Sequence, residues 1–280
     1  MLKPKPPYVV TRHLELFTLE GLPSPVVYSR GVCRSLAPAG EGYEAVECRI
    51  NGEPLEPLIE CRTTGDIDTV SRIVAERLRI DFDYNRFLDE VRGNDKLYRL
   101  AMKHLGLRPT RLLRLYEALI DSVVKQRISL RMAVRIMARL VESYGAHMNV
   151  DGVDFYWYPE ADTLYNTSVE ELRRHSLTRV KARSLKEIAA AEVEGRLPGL
   201  REVLADPWGV AGELTRIYGV GKWTAELAVA MVLDDFRLGP TTDLAVVRGL
   251  ERLGLDSPGP ERYRGLVMYL ASLEYESGKA

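Results

Sequence analysis

Residues 214–228 read Leu214-Thr215-Arg216-Ile217-Tyr218-Gly219-Val220-Gly221-Lys222-Trp223-Thr224-Ala225-Glu226-Leu227-Ala228. Leu214 and Ile217 stand at helical spacing and run into Gly219-Val220-Gly221, after which a second apolar helix starts at once. Two glycines around one apolar residue permit a tight bend and the close approach of another backbone. The second helix then presents unpaired N–H groups and the positive end of its dipole at the bend, so a phosphate can sit there without a cationic side chain. Lys222 adds a point charge. This reads as a helix-hairpin-helix suited to gripping a nucleic-acid backbone without regard to sequence.

About one helix length downstream comes Gly239-Pro240-Thr241-Thr242-Asp243-Leu244. Asp243 stands near a helix start, where a carboxylate can cap the free N–H groups or face the surface that the hairpin grips. Both readings stay open from the residues alone.

The charge distribution points the same way. The chain of 280 residues carries a formal net charge of −1. Yet Lys96 to Arg139 holds eleven basic residues against only Glu117 and Asp121, and Arg173 to Lys186 holds six and no acid. Such local asymmetry marks a surface that meets a polyanion. Arg127, Arg131, Arg135 and Arg139 recur every four residues along one helical stripe that could follow phosphates.

A hydrophobic fraction of 46% with 28% charged residues indicates a cored globular chain rather than a disordered one. There is no apolar run of membrane-spanning length and no apolar signal core near Met1, so a cytoplasmic protein without membrane association is expected. Cys33, Cys48 and Cys61 form no C-x-x-C pair and read as free thiols; with four scattered histidines, no Cys- or His-held metal cluster is expected.

The fold class expected is α+β. Short alternating runs at Val26–Tyr28, Tyr43–Ile50 and Leu55–Cys61, punctuated by Gly and Pro, predict strands, with a helix over Asp68–Leu78. From Tyr84 onward the pattern is helical, including long segments over Phe87–Leu105 and Leu112–Tyr144. Residues 1–90 are therefore taken as an α/β sheet domain and 91–280 as an all-helical region, with the seam between about residues 80 and 100.

Taken together, the hairpin, the Trp223-Thr224-Ala225 helix and the helix-opening Asp243 resemble the helix-hairpin-helix superfamily of DNA base-excision glycosylases, most closely the 3-methyladenine-DNA glycosylase II branch and more distantly the 8-oxoguanine glycosylases. Asp81-Phe82-Asp83-Tyr84 through Leu97-Tyr98-Arg99-Leu100, Gly106-Leu107-Arg108-Pro109, Ile120 to Ser129 and Ser168 to Arg183 extend the similarity, so that it covers roughly residues 80 to 255. The resemblance implies an N-terminal antiparallel sheet of the TBP-like kind. It further implies a monomeric enzyme that flips a damaged base, an alkylated purine of the 3-methyladenine type, out of double-stranded DNA and hydrolyses its N-glycosidic bond. Asp243 is then the catalytic carboxylate beside an oxocarbenium-like sugar. Bifunctional relatives carry a Schiff-base lysine where this chain has Trp223, which implies a monofunctional enzyme.

Trp223, Leu227 and Leu244 match the base pocket. Some relatives place further aromatics at the positions of Leu227 and Leu244, and Tyr218, Tyr269 and Phe17 are the candidate replacements. Gln126 and Arg127 match the wedge that fills the gap left by the flipped nucleotide, and Gly219, Gly221, Lys222 and Thr224 the backbone grip. No organic cofactor is implied; a monovalent cation, Na+ or K+, is implied on the backbone carbonyls of Thr215, Ile217 and Val220. Two alternatives stand beside this reading: a glycosylase for 8-oxoguanine or deaminated bases, and a non-catalytic DNA-binding protein in which Asp243 is only a cap.

Overall fold

The computed structural model describes residues 1–40 and 42–277. A short helix α1 (Thr11–Leu16) leads into a four-stranded antiparallel sheet, β1 (Val26–Ser29), β2 (Val32–Ala39), β3 (Gly42–Glu53) and β4 (Glu56–Thr63), paired in that order. Helix α2 (Ile67–Leu78) then packs Val70, Val74 and Leu78 onto Cys33, Val46, Cys48 and Ile59 of the sheet. It starts where the Asp66 carboxylate accepts the Thr69 N–H at 2.8 Å and stops at Arg79, which takes the left-handed conformation at φ +51°. The three expected runs are β1, β3 and β4. Strand β2 lies outside them: its Pro38 speaks against a strand, but sits one residue from the strand end, opposite Tyr43.

The reading of three free thiols is corrected. The register sets Cys33 opposite Cys48 and Cys48 opposite Cys61, so the three form one row across β2, β3 and β4. Cys48 and Cys61 are joined as a disulfide, and Cys33 is a buried thiol. Cross-strand pairing juxtaposes residues thirteen apart, and sequence spacing carries no trace of it.

Beyond the sheet come α3 (Tyr84–Val91), α4 (Asp95–Lys103), α5 (Leu115–Lys125) and α6 (Leu130–Tyr144). The two long helical segments predicted here are each divided. Asn94 caps α4 by accepting from Lys96 and Leu97, and the chain turns between α5 and α6 at Arg127, φ +52°, before Ser129 caps α6. Next comes a hairpin of β5 (Gly145–Val150) and β6 (Val153–Pro159), which corrects the expectation of an all-helical region. Its two-residue turn, Asp151-Gly152, has positive φ at both positions, 50° and 80°, the geometry that Asp-Gly between alternating runs favours. The remaining helices are α7 (Ala161–Asn166), α8 (Val169–Arg173), α9 (Arg179–Val193), α10 (Leu200–Ala205), α11 (Pro207–Leu214), α12 (Lys222–Val232), α13 (Leu244–Leu253) and α14 (Arg264–Ser277).

Two further cores hold this part together. One gathers α5, α6, α9 and α12 around Leu119, Leu140, Leu185 and Val229; the other joins Tyr84, Phe87 and Leu100 to Leu266, Val267 and Leu270 of α14. The hairpin lies against the sheet, where the Trp157 indole donates to the buried Glu117 carboxylate at 2.7 Å and the Arg77 guanidinium lies 4.2 Å over the indole. Burial raises the Glu117 carboxyl above the ordinary carboxylate range, and its bond from Trp157 opposes that.

Arg108 ties the chain after α4 to the N-terminal segment and to the turn after α2. It is fully buried and donates to the carbonyls of Gly106, Arg79, Phe82 and Pro7, with the rings of Tyr8 and Phe82 against it at 4.7 and 5.1 Å. Burial lowers its pKa to about 10. An Arg108→Ala substitution strips donors from four carbonyls and is expected to cost about 3 kcal/mol or more in denaturant unfolding, with Arg108→Lys intermediate because one ammonium cannot span them.

Candidate active site

Helix α11 ends at Leu214, and the chain from Thr215 to Val220 winds through tight turns, Ile217 N–H bonding to Leu214 and Val220 N–H to Ile217. Gly219 has φ +77°, and a Cβ there would lie 1.8 Å from Ser184 Oγ of α9, so both its conformation and its neighbour require glycine. Gly221 differs. Its backbone is extended at φ −89°, a Cβ would meet nothing within 4 Å, and it begins α12 with no side-chain cap. The first N–H groups of α12 are therefore left for a partner from outside the helix.

Three side chains hold this bend and the end of α5 behind it. Gln126, just past α5, donates its amide Nε2 to the Gly219 carbonyl and to Thr224 Oγ1, both at 2.9 Å. Buried Lys181 of α9 donates to the Val124 carbonyl at 2.9 Å, and burial lowers its pKa. Ser184 bonds back to Val180 directly beneath Gly219. Neither Lys181 nor Ser184 was legible as a support, since each acts across more than thirty residues of chain. Arg127, Arg131, Arg135 and Arg139 are all exposed at or beyond the α5–α6 corner, and Arg139 bonds Ser176. Lys222 is exposed, and Tyr218 lies outward with the Arg183 guanidinium 4.0 Å over its ring.

Asp243 is half-buried and does two things at once. Its Oδ1 accepts the N–H groups of Ala245 and Val246 at 2.8 and 3.0 Å, which caps α13; its Oδ2 accepts the indole N–H of Trp223 at 2.7 Å. The hairpin helix and the carboxylate thus meet across twenty residues of chain. Leu227 lies one turn beyond Trp223 on α12 and is half-buried; Leu244 is 62% exposed. Glu226, the only charged residue between Trp223 and Val232, accepts the N–H and hydroxyl of Thr241 in the turn before Asp243. Glu226 was not among the residues expected at the site; a lone acid in an apolar stretch of helix is the signal that could have found it.

Phe17 and Tyr269 come together around His13. The His13 ring lies 4.7 Å from Phe17, its Nδ1 pairs with the Tyr269 hydroxyl at 2.9 Å, and its Nε2 with Thr110 at 3.1 Å; Lys125 stands 4.5 Å over Phe17. Burial, then the charges of Lys125 and Arg79, lower the His13 pKa to about 3. The carbonyls of Thr215 and Ile217 lie at or just beyond the C-terminal end of α11, where a helix dipole is negative, and Val220 directly precedes Gly221 at the start of α12; Ile217 already receives the Val220 N–H. Among the described residues, no group of His, Cys, Asp and Glu could hold a metal ion, and no helix is long and apolar enough to cross a membrane.

The HhH-GPD superfamily base excision DNA repair protein family matches residues 120–266, a span that contains the hairpin, Trp223 and Asp243. The chain belongs to this superfamily. Among its relatives, the DNA-3-methyladenine glycosylase of Bacillus subtilis strain 168 is 23% identical over 186 residues, 66% of this chain and 61% of that protein. Across the first four curated relatives the matched region spans between 40% and 61% of their own length. A solved 3-methyladenine DNA-glycosylase from Archaeoglobus fulgidus shares the fold at a TM-score of 0.79, with 24% identity and 98% of both chains covered. A DNA-bound 8-oxoguanine glycosylase/lyase of Clostridium acetobutylicum shares it at 0.69, with 16% identity, over 85% of this chain and 87% of that one.

Two outcomes test this geometry. Gly219→Ala is expected to lower stability by about 2–4 kcal/mol in denaturant unfolding, against about 1 kcal/mol or less for Gly221→Ala. His13 has a depressed folded pKa, so its contribution is present above its unfolded value of 6.5 and is lost as pH falls toward about 3. In His13→Gln, the stability lost between about pH 6.5 and about pH 5 is expected to shrink by about 2 kcal/mol relative to wild type.

Proposed function

We propose that this chain is a monofunctional DNA glycosylase that removes an alkylated purine of the 3-methyladenine type from double-stranded DNA. The observation that carries the reading is the bond from Trp223 to Asp243, which sets a carboxylate beside the helix that opens at Gly221. In this reading the free N–H groups at Gly221–Thr224 take a phosphate of the duplex, Lys222 adds its charge, and Arg127 enters the space of the extruded nucleotide, with Gln126 holding the bend behind it. Na+ or K+ on the carbonyls of Thr215, Ile217 and Val220 would add positive charge at the same phosphate; neutral carbonyl oxygens, two of them at the negative end of α11, suit a monovalent cation.

Breaking the bond from C1′ to the base nitrogen leaves positive charge on the sugar. Asp243 keeps its negative charge close to that carbon and orients the water that adds there, while the departing base takes the bonding electrons. Three N–H donors fix the carboxylate, so little reorganisation accompanies charge development. A cationic alkylated purine leaves readily, so one carboxylate suffices. Trp223 has no amine with which to form a Schiff base, which favours hydrolysis without strand cleavage; Leu227 and Leu244 supply apolar contact for the base.

The test is a panel of duplexes, each with one lesion, assayed for abasic sites with and without alkali. Cleavage of alkylated-purine duplexes only after alkali is expected; nicking without alkali overturns the monofunctional reading, and preference for 8-oxoguanine or a deaminated base overturns the substrate. Asp243→Asn is expected to lose about 10²–10³-fold in base release with DNA binding retained. Full base release by that variant leaves Asp243 as a cap alone. Binding is expected to weaken as salt rises, by about 0.9 in log affinity per log salt for each phosphate contacted.

A further inference from the structure

We infer that Glu226 is a positioning residue for Asp243: it anchors the turn that precedes the carboxylate, so that α12 holds Asp243 both directly, through Trp223, and from behind, through Thr241. The inference rests on the reading of Asp243 given above. The Glu226 Oε2 accepts the Thr241 N–H at 2.8 Å and the Thr241 hydroxyl at 2.9 Å, and Oε1 lies 3.1 Å from the same hydroxyl. Thr241 is exposed and stands two residues before Asp243, in a turn closed by the Asp243 N–H on the Pro240 carbonyl at 3.1 Å. The side chain of Glu226 is only 12% exposed, with the Lys222 ammonium 3.7 Å from Oε1.

Trp223 and Glu226 are three residues apart and so share one side of α12. Each receives one part of the same turn: Trp223 the carboxylate, Glu226 the backbone that carries it. The other side of the turn is closed by close packing, since a Cβ at Gly239 would lie 2.8 Å from Met268 Sδ and 3.0 Å from the Gly265 Cα of α14. A Thr241 freed from Glu226 leaves the Asp243 carboxylate held by the Trp223 bond and the α13 cap, and its backbone by the local turn bond to Pro240. A carboxylate that must meet a developing charge at a fixed place loses much of its effect when displaced by about 1 Å.

The role calls for two acceptor contacts to Thr241 and not for a negative charge, so Glu226→Gln, whose amide oxygen still takes the N–H, is expected to rescue what Glu226→Ala loses. The experiment compares wild type, Glu226→Ala, Glu226→Gln and Thr241→Val in single-turnover base release and in DNA binding. In parallel, it records the indole N–H resonances of the 15N-labelled protein in each variant. Glu226→Ala is expected to slow base release by about 10²-fold with DNA affinity within about twofold. Its Trp223 indole resonance is expected to shift and exchange faster, while the Trp157 indole on Glu117 stays in place. Thr241→Val, at an exposed position, is expected to show a smaller effect of the same kind.

Base release by Glu226→Ala at the wild-type rate overturns the inference, as does an equal loss in Glu226→Gln and Glu226→Ala. If the wild type releases no base from any lesion, the reading of Asp243 falls; an unmoved Trp223 indole in Glu226→Ala then overturns the positioning role separately, and a shifted one sustains it. If Glu226→Ala does not fold, Thr241→Val carries the same two readouts.

Discussion

The docking of α12 against α5 is the constraint on which the candidate site depends. The two helices run antiparallel and are tied at both ends. At the α12 N-terminus, Gln126 bonds Gly219 and Thr224; at its C-terminus, the Leu112 N–H takes the Met231 carbonyl at 2.9 Å and Arg111 Nε the Val232 carbonyl at 2.9 Å. Between these ties the contact is apolar, with Ala225, Ala228, Val229 and Val232 buried. Small residues bring the axes close, and the fixed helix then presents its free N–H groups at one end and Trp223 and Glu226 on one side. Moving α12 would disturb the anion-binding end and the carboxylate together.

A second theme is the burial of cations between the N-terminal elements and the helices that follow. Arg79, Arg108 and Arg111 are all buried, and Lys125 stands over Phe17, where its charge adds to the burial that lowers the His13 pKa. Arg108 compensates its burial with four carbonyls, and Arg111 with Val232 and Glu76. Arg79 is different: its Nε and Nη1 find no hydrogen-bond partner among the described residues, and its guanidinium lies 4.6 Å from the centre of the Phe236 ring. Burial lowers its pKa to about 9, with Arg111 adding to the effect and Asp234 and Asp235 opposing it.

Much of the fold was legible because its signals are local. Gly219-Val220-Gly221, the capping residues and the alternating strands each declare a conformation within a few residues. The β5–β6 hairpin was missed: Asp151-Gly152 between alternating runs is its local signal, but its neighbours are helical and dominate the pattern. The division of the two long helical segments depends on Asn94 and on the left-handed Arg127, which interrupt the backbone without interrupting the apolar period. The site was legible in its parts. Asp243 and Trp223 stood out, but one was open between cap and carboxylate, and the structure shows a single group whose two oxygens serve α13 and Trp223 separately.

The sequence by itself determined where the chain bends, where helices begin, and that a neutral, glycine-bounded hairpin precedes a helix-opening acid. These follow from φ/ψ restrictions and from hydrogen bonds that close within a few residues. Only the tertiary structure decided which of these groups meet. Gln126 reaches a carbonyl 93 positions away, Trp223 a carboxylate 20 away, and Cys48 its disulfide partner 13 away on the next strand. Such pairings are selected by the packing of whole helices and by strand register, and no window of sequence contains both partners together with the surfaces that bring them into contact.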